Sequence, residues 1–141
     1  MMRKITVGIF GWLTLGAIAA CVMPQLSSEI SAISGQDDFN TLCAPCHGTS
    51  GQGNGPLAGG LDHPPADLTG LSARHKGTFP MPYVLHKIWG YAEGQAPMAI
   101  MPKFGPLLDS PIVLFDAGDG IQTPTPEKLV DLANYVSSLQ R

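Results

Sequence analysis

Apolar residues recur at three- and four-residue steps in three parts of the chain, and each part predicts an α-helix. The predicted helices run from Gly35 to His47, from Pro82 to Tyr91 and from Glu127 to Leu139. Pro82 suits a first helical turn, because proline has no N–H to leave unpaired there. The apolar stripes consist of Phe39, Leu42, Cys43 and Cys46, of Val84, Leu85, Ile88 and Trp89, and of Leu129, Leu132, Ala133, Val136 and Leu139.

Glycine and proline dominate the segments between these helices. Gly48–Gly60 contains six glycines, and prolines and glycines interrupt the chain from Leu61 to Pro82. From Ser110 to Gln122, a weak alternation and an Asp-Gly pair indicate a small β-hairpin. No internal repeat and no alternating β–α pattern appears in the sequence. The pattern therefore predicts an all-α domain of three or four helices joined by long loops.

Residues 1–20 are typical of an export signal. A basic start, Met1–Lys4, precedes an uncharged and mostly apolar run from Ile5 to Ala20. The small residues before Cys21 resemble a bacterial lipobox, in which the cysteine is lipidated and becomes the new N-terminus. Two alternatives stay open. Cleavage at the Ala-Ile-Ala before Ala20 would release a soluble protein, and the uncut segment is long enough for a membrane anchor.

The next segment, residues 21–34, is polar and small and contains a proline. It is predicted to be a tether, which leaves residues 35–141 as the single domain. Cys21 is an odd cysteine, since the other two belong to one motif. Lipidation would use its thiol in an oxidising compartment.

Charge excludes one class of partner. The chain has eight basic and eleven acidic residues, and removal of residues 1–20 takes away two of the basic ones. The remaining net charge of about −5 argues against nucleic-acid binding, which needs a strong basic excess. Four of the other six basic residues lie between Arg74 and Lys103, and Asp109, Asp116 and Asp119 follow. Such an asymmetry can orient a docking partner.

The stretch Cys43-Ala-Pro-Cys46-His47 is compatible with three kinds of chemistry. A thiol–disulfide pair would need a strand before Cys43 and a βαβ frame after it, whereas the preceding SGQDDFNTL is polar and predicted to be helical. Structural zinc would need four ligands, and the later histidines lack the tight spacing of a second ligand pair. Covalent haem explains more of the chain, because Cys-x-x-Cys-His is the attachment signature of c-type haem.

Haem also accounts for the core that the chain otherwise lacks. Cys43 and Cys46, three apart on a helix, present both sulfurs on one side for the two vinyl groups, and His47 directs its imidazole towards the iron. A mature chain of about 120 residues with few helices buries a modest apolar interior, which a large apolar porphyrin would complete. The glycines of Gly48–Gly60 would let the backbone lie against the ring. One covalent haem c is therefore predicted.

The second axial ligand decides the activity, since methionine raises the reduction potential and an empty site indicates ligand binding or peroxide chemistry. Met101 is favoured, because it precedes Pro-Lys-Phe-Gly in a loop that can wrap to the far face of the ring. Met98 stays an alternative at three residues' distance. The remaining candidates are Met81, His63, His75 and His86. On the other face, a ligating imidazole donates its second N–H to an acceptor, and the carbonyl of Pro56 is predicted for His47.

With these residues in place, the chain resembles the class I monohaem c-type cytochromes over about residues 35–141. CAPCHG, GNGP, MPKFG and EKLVDLANYVSSL stand in the family's order. The resemblance implies a cytochrome c-like fold, thioether bonds to Cys43 and Cys46, and His47 and Met101 as axial ligands. It also matches Gly35 and Phe39 to a first-helix pair that crosses the last helix at Leu132 and Tyr135. The segment Gly105–Pro126 is longer than the family's pattern leads us to expect.

The resemblance implies an electron carrier rather than an enzyme. The expected function is single-electron transfer between a protein donor and a protein acceptor on the periplasmic side of a bacterial membrane, with Lys87 and Lys103 near the exposed haem edge. The alternative is the haem-bearing subunit of a membrane-associated dehydrogenase or oxidase complex, which the possible anchor and Gly105–Pro126 motivate. A haem-based ligand sensor is a third, weaker interpretation.

Overall fold

The structure, a computed structural model, describes residues 23–90 and 101–141. Within these ranges the chain forms five α-helices, one antiparallel β-hairpin and three short 3-10 turns. The helices are α1 (Met23–Leu42), α2 (Ala44–His47), α3 (Leu71–Arg74), α4 (Met81–Trp89) and α5 (Glu127–Ser138). The strands are β1 (Ile112–Asp116) and β2 (Gln122–Pro126), and the turns lie at Ala58–Gly60, Leu68–Gly70 and Gly105–Leu107.

The crossing of α1 and α5 forms the centre of the fold. Gly35 brings the backbone of α1 against the Asp131 carbonyl, and a Cβ at this position would overlap that oxygen. One turn later, the fully buried ring of Phe39 packs on Tyr135, with the ring centroids 5.1 Å apart. Leu132 is also fully buried in the same core. The predicted crossing of the first and last helices is confirmed.

The start and the end of the first helix differ from the prediction. The helix begins at Met23 rather than Gly35, so most of the segment predicted as a tether is helical. Pro24 lies in its first turn, where the missing N–H leaves no hydrogen bond unmade. The helix stops at Leu42, because Pro45 cannot donate to a carbonyl of the preceding turn, and a separate short helix then begins at Ala44.

Helix α4 covers part of the core beside α5. It spans Met81–Trp89, close to the predicted Pro82–Tyr91, and buries Val84, Leu85 and Ile88. It ends because Gly90 adopts a left-handed conformation with φ of 96°, which costs glycine little. These three buried residues belong to the predicted apolar stripe. Val84 and Leu85 are adjacent in sequence, and Ile88 lies one turn later.

The hairpin lies in the long segment before α5. The β1 strand agrees with the predicted hairpin, whereas β2 begins at the residue where the prediction ends. Pro124 and Pro126 pair with Leu114 and Ile112, and since a proline cannot donate to the ladder, its nitrogen must face the outer edge of the sheet. The predicted hairpin is therefore present as one small two-stranded sheet, but its second strand lies after the predicted range.

The hairpin loop is held by one carboxylate. Asp116 Oδ1 accepts hydrogen bonds from the N–H groups of Gly118, Asp119 and Gly120, at 2.8, 3.1 and 3.0 Å. These backbone hydrogen bonds lower the pKa of the Asp116 carboxyl, and the bond from Gly118 makes the largest contribution.

None of the helices in the described part of the chain is long and apolar enough to span a bilayer.

Candidate functional site

A cavity of about 430 Å³ lies beside the junction of α1 and α2. This volume is within the range of sites that hold cofactors and small ligands, and most of the wall is apolar. Two loops contribute to the wall of the cavity, one from residues 57–66 and the other from residues 101–104. The wall is formed by Leu42, Cys43, Pro45, Cys46, His47, Leu57, Leu61, His63, Pro64, Pro65, Ala66, Lys87, Met101, Pro102 and Phe104.

The short helix α2 brings the three residues of the motif to this wall. The N–H groups of Cys46 and His47 both donate to the Cys43 carbonyl, at 3.1 and 2.8 Å. As a result of this tight turn, Cys43, Cys46 and His47 all belong to the cavity wall. The two cysteines are not bonded to each other, and Cys43 is buried whereas Cys46 is half-buried.

The environment of Cys43 does not suit thiol–disulfide exchange. Burial, with smaller contributions from the nearby Asp38 and Cys46, raises the pKa of its thiol to about 12. Redox-active cysteines have lowered pKa values, because the thiolate is the reacting form. A zinc site is not supported either, since the described residues contain no group of three or more His, Cys, Asp and Glu side chains able to hold a metal ion.

The ring of His47 is held from a loop that the sequence does not indicate. Its Nδ1 lies 2.9 Å from the carbonyl oxygen of Ala66. Because a carbonyl only accepts, Nδ1 carries the proton and Nε2 keeps a free lone pair, as a metal ligand requires. The prediction that the Pro56 carbonyl accepts this hydrogen bond is therefore wrong, since Ala66 accepts it. Pro56 is exposed. The sequence gives no indication that Ala66 is the acceptor, since every residue has a backbone carbonyl.

Gly53 and Gly55 of the segment Gly48–Gly60 pack on protein backbone rather than on the cavity. A Cβ on Gly55 would overlap the Pro45 carbonyl, and one on Gly53 would overlap the Pro65 carbonyl. Gly55 N–H donates to the Cys46 carbonyl at 3.0 Å, which ties the loop to α2. No glycine of the described chain is among the wall residues, so the expectation that these glycines lie against the cofactor is not met. Their small size instead lets the loop fold tightly enough for Leu57 to reach the wall.

Met101 is half-buried and lies on the cavity wall with Pro102 and Phe104. Met81 is not among the wall residues, and Met98 lies outside the described residues. Met101 is thus the one methionine of the described chain that shares the cavity with His47, and its role as a ligand stays a prediction. Phe104 is a wall residue that sequence reasoning passed over, although an aromatic residue directly after Met-Pro-Lys was a usable signal.

Of the other histidines, His75 and His86 lie outside the cavity wall, and His63 belongs to it. His75 Nδ1 lies 2.8 Å from the Leu71 carbonyl oxygen and its ring lies near Tyr83, and His86 lines a different cavity beside the hairpin. His63 does line the same cavity as Met101. However, its loop contacts the Nδ1 side of His47, the side that faces away from a metal bound at Nε2. That position does not suit a second iron ligand, which would have to bind on the face of the haem opposite to His47.

Together these residues fit a c-type haem. The cavity offers one imidazole in the correct tautomer, one thioether, two thiols separated by two residues and an apolar wall. The sequence model of the cytochrome c family matches residues 32–140. Comparison with curated proteins and with solved structures gives no significant match.

Proposed function

Because the chain belongs to the cytochrome c family, whose members bind haem and take part in electron transfer, we propose that it is a monohaem electron carrier. In this proposal one haem is bonded through Cys43 and Cys46, with His47 and Met101 as its axial ligands. The observation that carries it is that all four of these residues lie in the wall of one mostly apolar cavity. The family is generally one of electron carriers rather than enzymes, and the proposal accordingly assigns no substrate.

The chain's own residues hold the group and control its surroundings. When bound, a haem supplies one-electron chemistry at its iron. Ala66 fixes the ring orientation of His47, and a thioether ligand raises the reduction potential. With the haem bound, apolar residues such as Leu57, Leu61 and Phe104 would limit its contact with water. Lys87 lies on the same wall, and a basic residue beside the cavity would favour an acidic docking partner.

The proposed location is the periplasmic side of a bacterial membrane. The support is the basic and apolar pattern of residues 1–20, which lies outside the described part of the chain. In this proposal Cys21 carries a lipid that anchors the mature protein. The mass of the mature N-terminus distinguishes lipidation from simple cleavage and from an uncut anchor.

Two pairs of variants test the haem site. Wild-type protein denatured in detergent should keep its colour, and Cys43→Ala together with Cys46→Ala should lose it, because the thioether bonds are gone. Cys21→Ser serves as the control and should keep the colour. Met101→Ala should remove the weak long-wavelength absorption of methionine-ligated ferric haem, whereas Met81→Ala should retain it. A colourless denatured wild type, or an unchanged Met101→Ala spectrum, would contradict the proposal.

A second candidate is favoured by the hairpin, namely the haem-bearing subunit of a membrane-associated oxidoreductase complex. Ile112, Leu114 and Ile121 are 62%, 67% and 62% exposed, although all three are large and apolar. Clustered exposed apolar residues are typical of protein interfaces. Native electrophoresis of mild detergent extracts tests this candidate. A stable stoichiometric assembly that Leu114→Ser dissociates would favour the subunit, and migration as a free chain would favour the carrier.

A further inference from the structure

The loop that holds His47 is itself fixed by side chains far away in sequence. Ala66 supplies the carbonyl that accepts from Nδ1, and Asp67 follows it directly. The Asp67 carbonyl, in the next peptide group, accepts a hydrogen bond from Arg74, so the backbone adjoining Ala66 is also restrained. The position of the Ala66 oxygen therefore depends on what restrains Asp67.

The Asp67 carboxylate is held by a second group of contacts. Its Oδ1 accepts from the backbone N–H of Thr69 at 2.9 Å and from the Thr69 hydroxyl at 2.6 Å. Its Oδ2 lies 3.2 Å from Arg141 Nη2. These contacts, with the Thr69 hydroxyl the largest, lower the pKa of the Asp67 carboxyl. The carboxylate is therefore the form that this arrangement stabilises.

Arg141 and Thr69 complete the network. Arg141 Nε donates to Thr69 Oγ1 at 2.8 Å, and the Arg141 backbone N–H donates to the Thr69 carbonyl at 3.1 Å. Thr69 is buried, unlike Asp67 and Arg141, so it is the fixed point to which the other two are attached. The neighbouring Gln140 Nε2 donates to the Leu68 carbonyl at 2.8 Å, which adds a further restraint on the same loop.

We propose that Arg141, Asp67 and Thr69 are positioning residues for the axial imidazole of His47 and thereby set the reduction potential. The inference rests on the proposed function, since it takes His47 as an iron ligand. An imidazole whose N–H is held by a fixed acceptor is a more basic ligand and stabilises the oxidised metal more. A loosened Ala66 carbonyl therefore raises the potential. Arg141 lies just outside the residues that the family model matches, whereas Asp67 and Thr69 lie inside them.

Arg141→Ala separates positioning from a direct effect of charge, because the two predict opposite signs. Loss of a positive charge near a haem favours the oxidised state and lowers the potential. Loss of positioning raises it. We expect a rise equivalent to about a three- to tenfold change in the ratio of oxidised to reduced protein, below the 10–100-fold typical when a partner of a metal ligand is removed outright.

Two further variants make the result independent of folding and of charge. Thr69→Val keeps the shape and the net charge, removes the shared hydroxyl, and should also raise the potential. Arg141→Lys keeps the charge but lacks the planar fork that contacts Thr69 and Asp67 together, so its potential should lie between wild type and Arg141→Ala. Lys76→Gln, which removes an exposed charge outside the network, is the matched control and should not raise it.

Two readouts report on the imidazole itself. Potentiometric titration gives the reduction potential, and nuclear magnetic resonance of the reduced holoprotein gives the exchange rate of the His47 ring N–H with solvent. The rate should increase in Arg141→Ala and in Thr69→Val. If Arg141→Ala has a lowered or unchanged reduction potential and an unchanged exchange rate of the His47 ring N–H, the proposed positioning role of these residues is overturned. Absence of the histidine–methionine spectrum in the wild type instead overturns the proposed function, and with it this inference.

Discussion

Phe39 is the residue at which the crossing of α1 and α5 can be tested most directly. Its side chain has no exposed surface, and its ring packs on Tyr135 at 5.1 Å. Truncation to alanine at such a site costs about 3–5 kcal/mol, because apolar burial is lost and a cavity remains. The ring pair contributes a further 0.5–1.5 kcal/mol or so. Since domains of this size have a free energy of unfolding of about 5–15 kcal/mol, Phe39→Ala removes a large part of it.

The assay is denaturant unfolding of the purified holoprotein, followed by far-UV circular dichroism. Phe39→Leu retains most of the buried volume and should lose about 1–2 kcal/mol, which keeps the comparison measurable if the alanine variant does not fold. Ile33→Ala is the matched control, because Ile33 lies on the same helix and is 61% exposed. We expect that substitution to stay within about 0.5 kcal/mol of wild type.

A double-mutant cycle with Tyr135→Leu isolates the ring pair. Because the two rings touch, the cycle should give a coupling of about 0.5–1.5 kcal/mol. A loss below about 1 kcal/mol in Phe39→Ala would refute the assignment of Phe39 to the centre of the core, since even the shortening of a buried aliphatic residue costs about that much. Zero coupling with Tyr135 would refute the direct ring contact but not the burial.

Three further predictions follow from local features. Gly53→Ala should destabilise the protein by about 1 kcal/mol or more in the same assay, because φ is +80° and the Cβ would overlap the Pro65 carbonyl, whereas Gly59→Ala, with open space around it, should be nearly neutral. The lowered pKa of Asp116 means that its contribution to stability is present above its ordinary value of 3.8 and is lost as the pH falls below it, so the unfolding midpoint of Asp116→Asn should fall less than that of wild type between pH 5 and pH 2. In haem-free protein, alkylation of Cys43 should be slow at neutral pH and accelerate as the pH approaches about 12, and fast modification at pH 7 would contradict the burial of its thiol.

Side-chain periodicity predicted the parts of the fold that depend on side chains. The α4 and α5 helices were found because apolar residues such as Leu85 and Leu132 repeat at helical spacing. The motif residues and Met101 were found because their chemistry is rare and their order is fixed. In the structure all of them line one cavity.

The missed features are those that side-chain types do not encode. Ala66 acts through its carbonyl, which no residue type announces. The second strand was missed because Pro124 and Pro126 argue against a strand, although an edge strand tolerates them. The early start of α1 was missed because Pro24 and the small polar residues after it resemble a linker. Each error has the same origin, namely that backbone partners decided the local conformation.

The prolines of β2 also limit how the molecule can associate with others. An edge strand with free N–H groups is a template on which another chain can extend the sheet, and this is a common start of aggregation. Pro124 and Pro126 offer no N–H at the outer edge of β2, so sheet extension on that side is blocked. The exposed Ile112 and Leu114 can then serve in side-chain contacts without a risk of fibre growth through β2. The hairpin thus combines an exposed apolar face with an edge strand whose prolines do not support strand pairing.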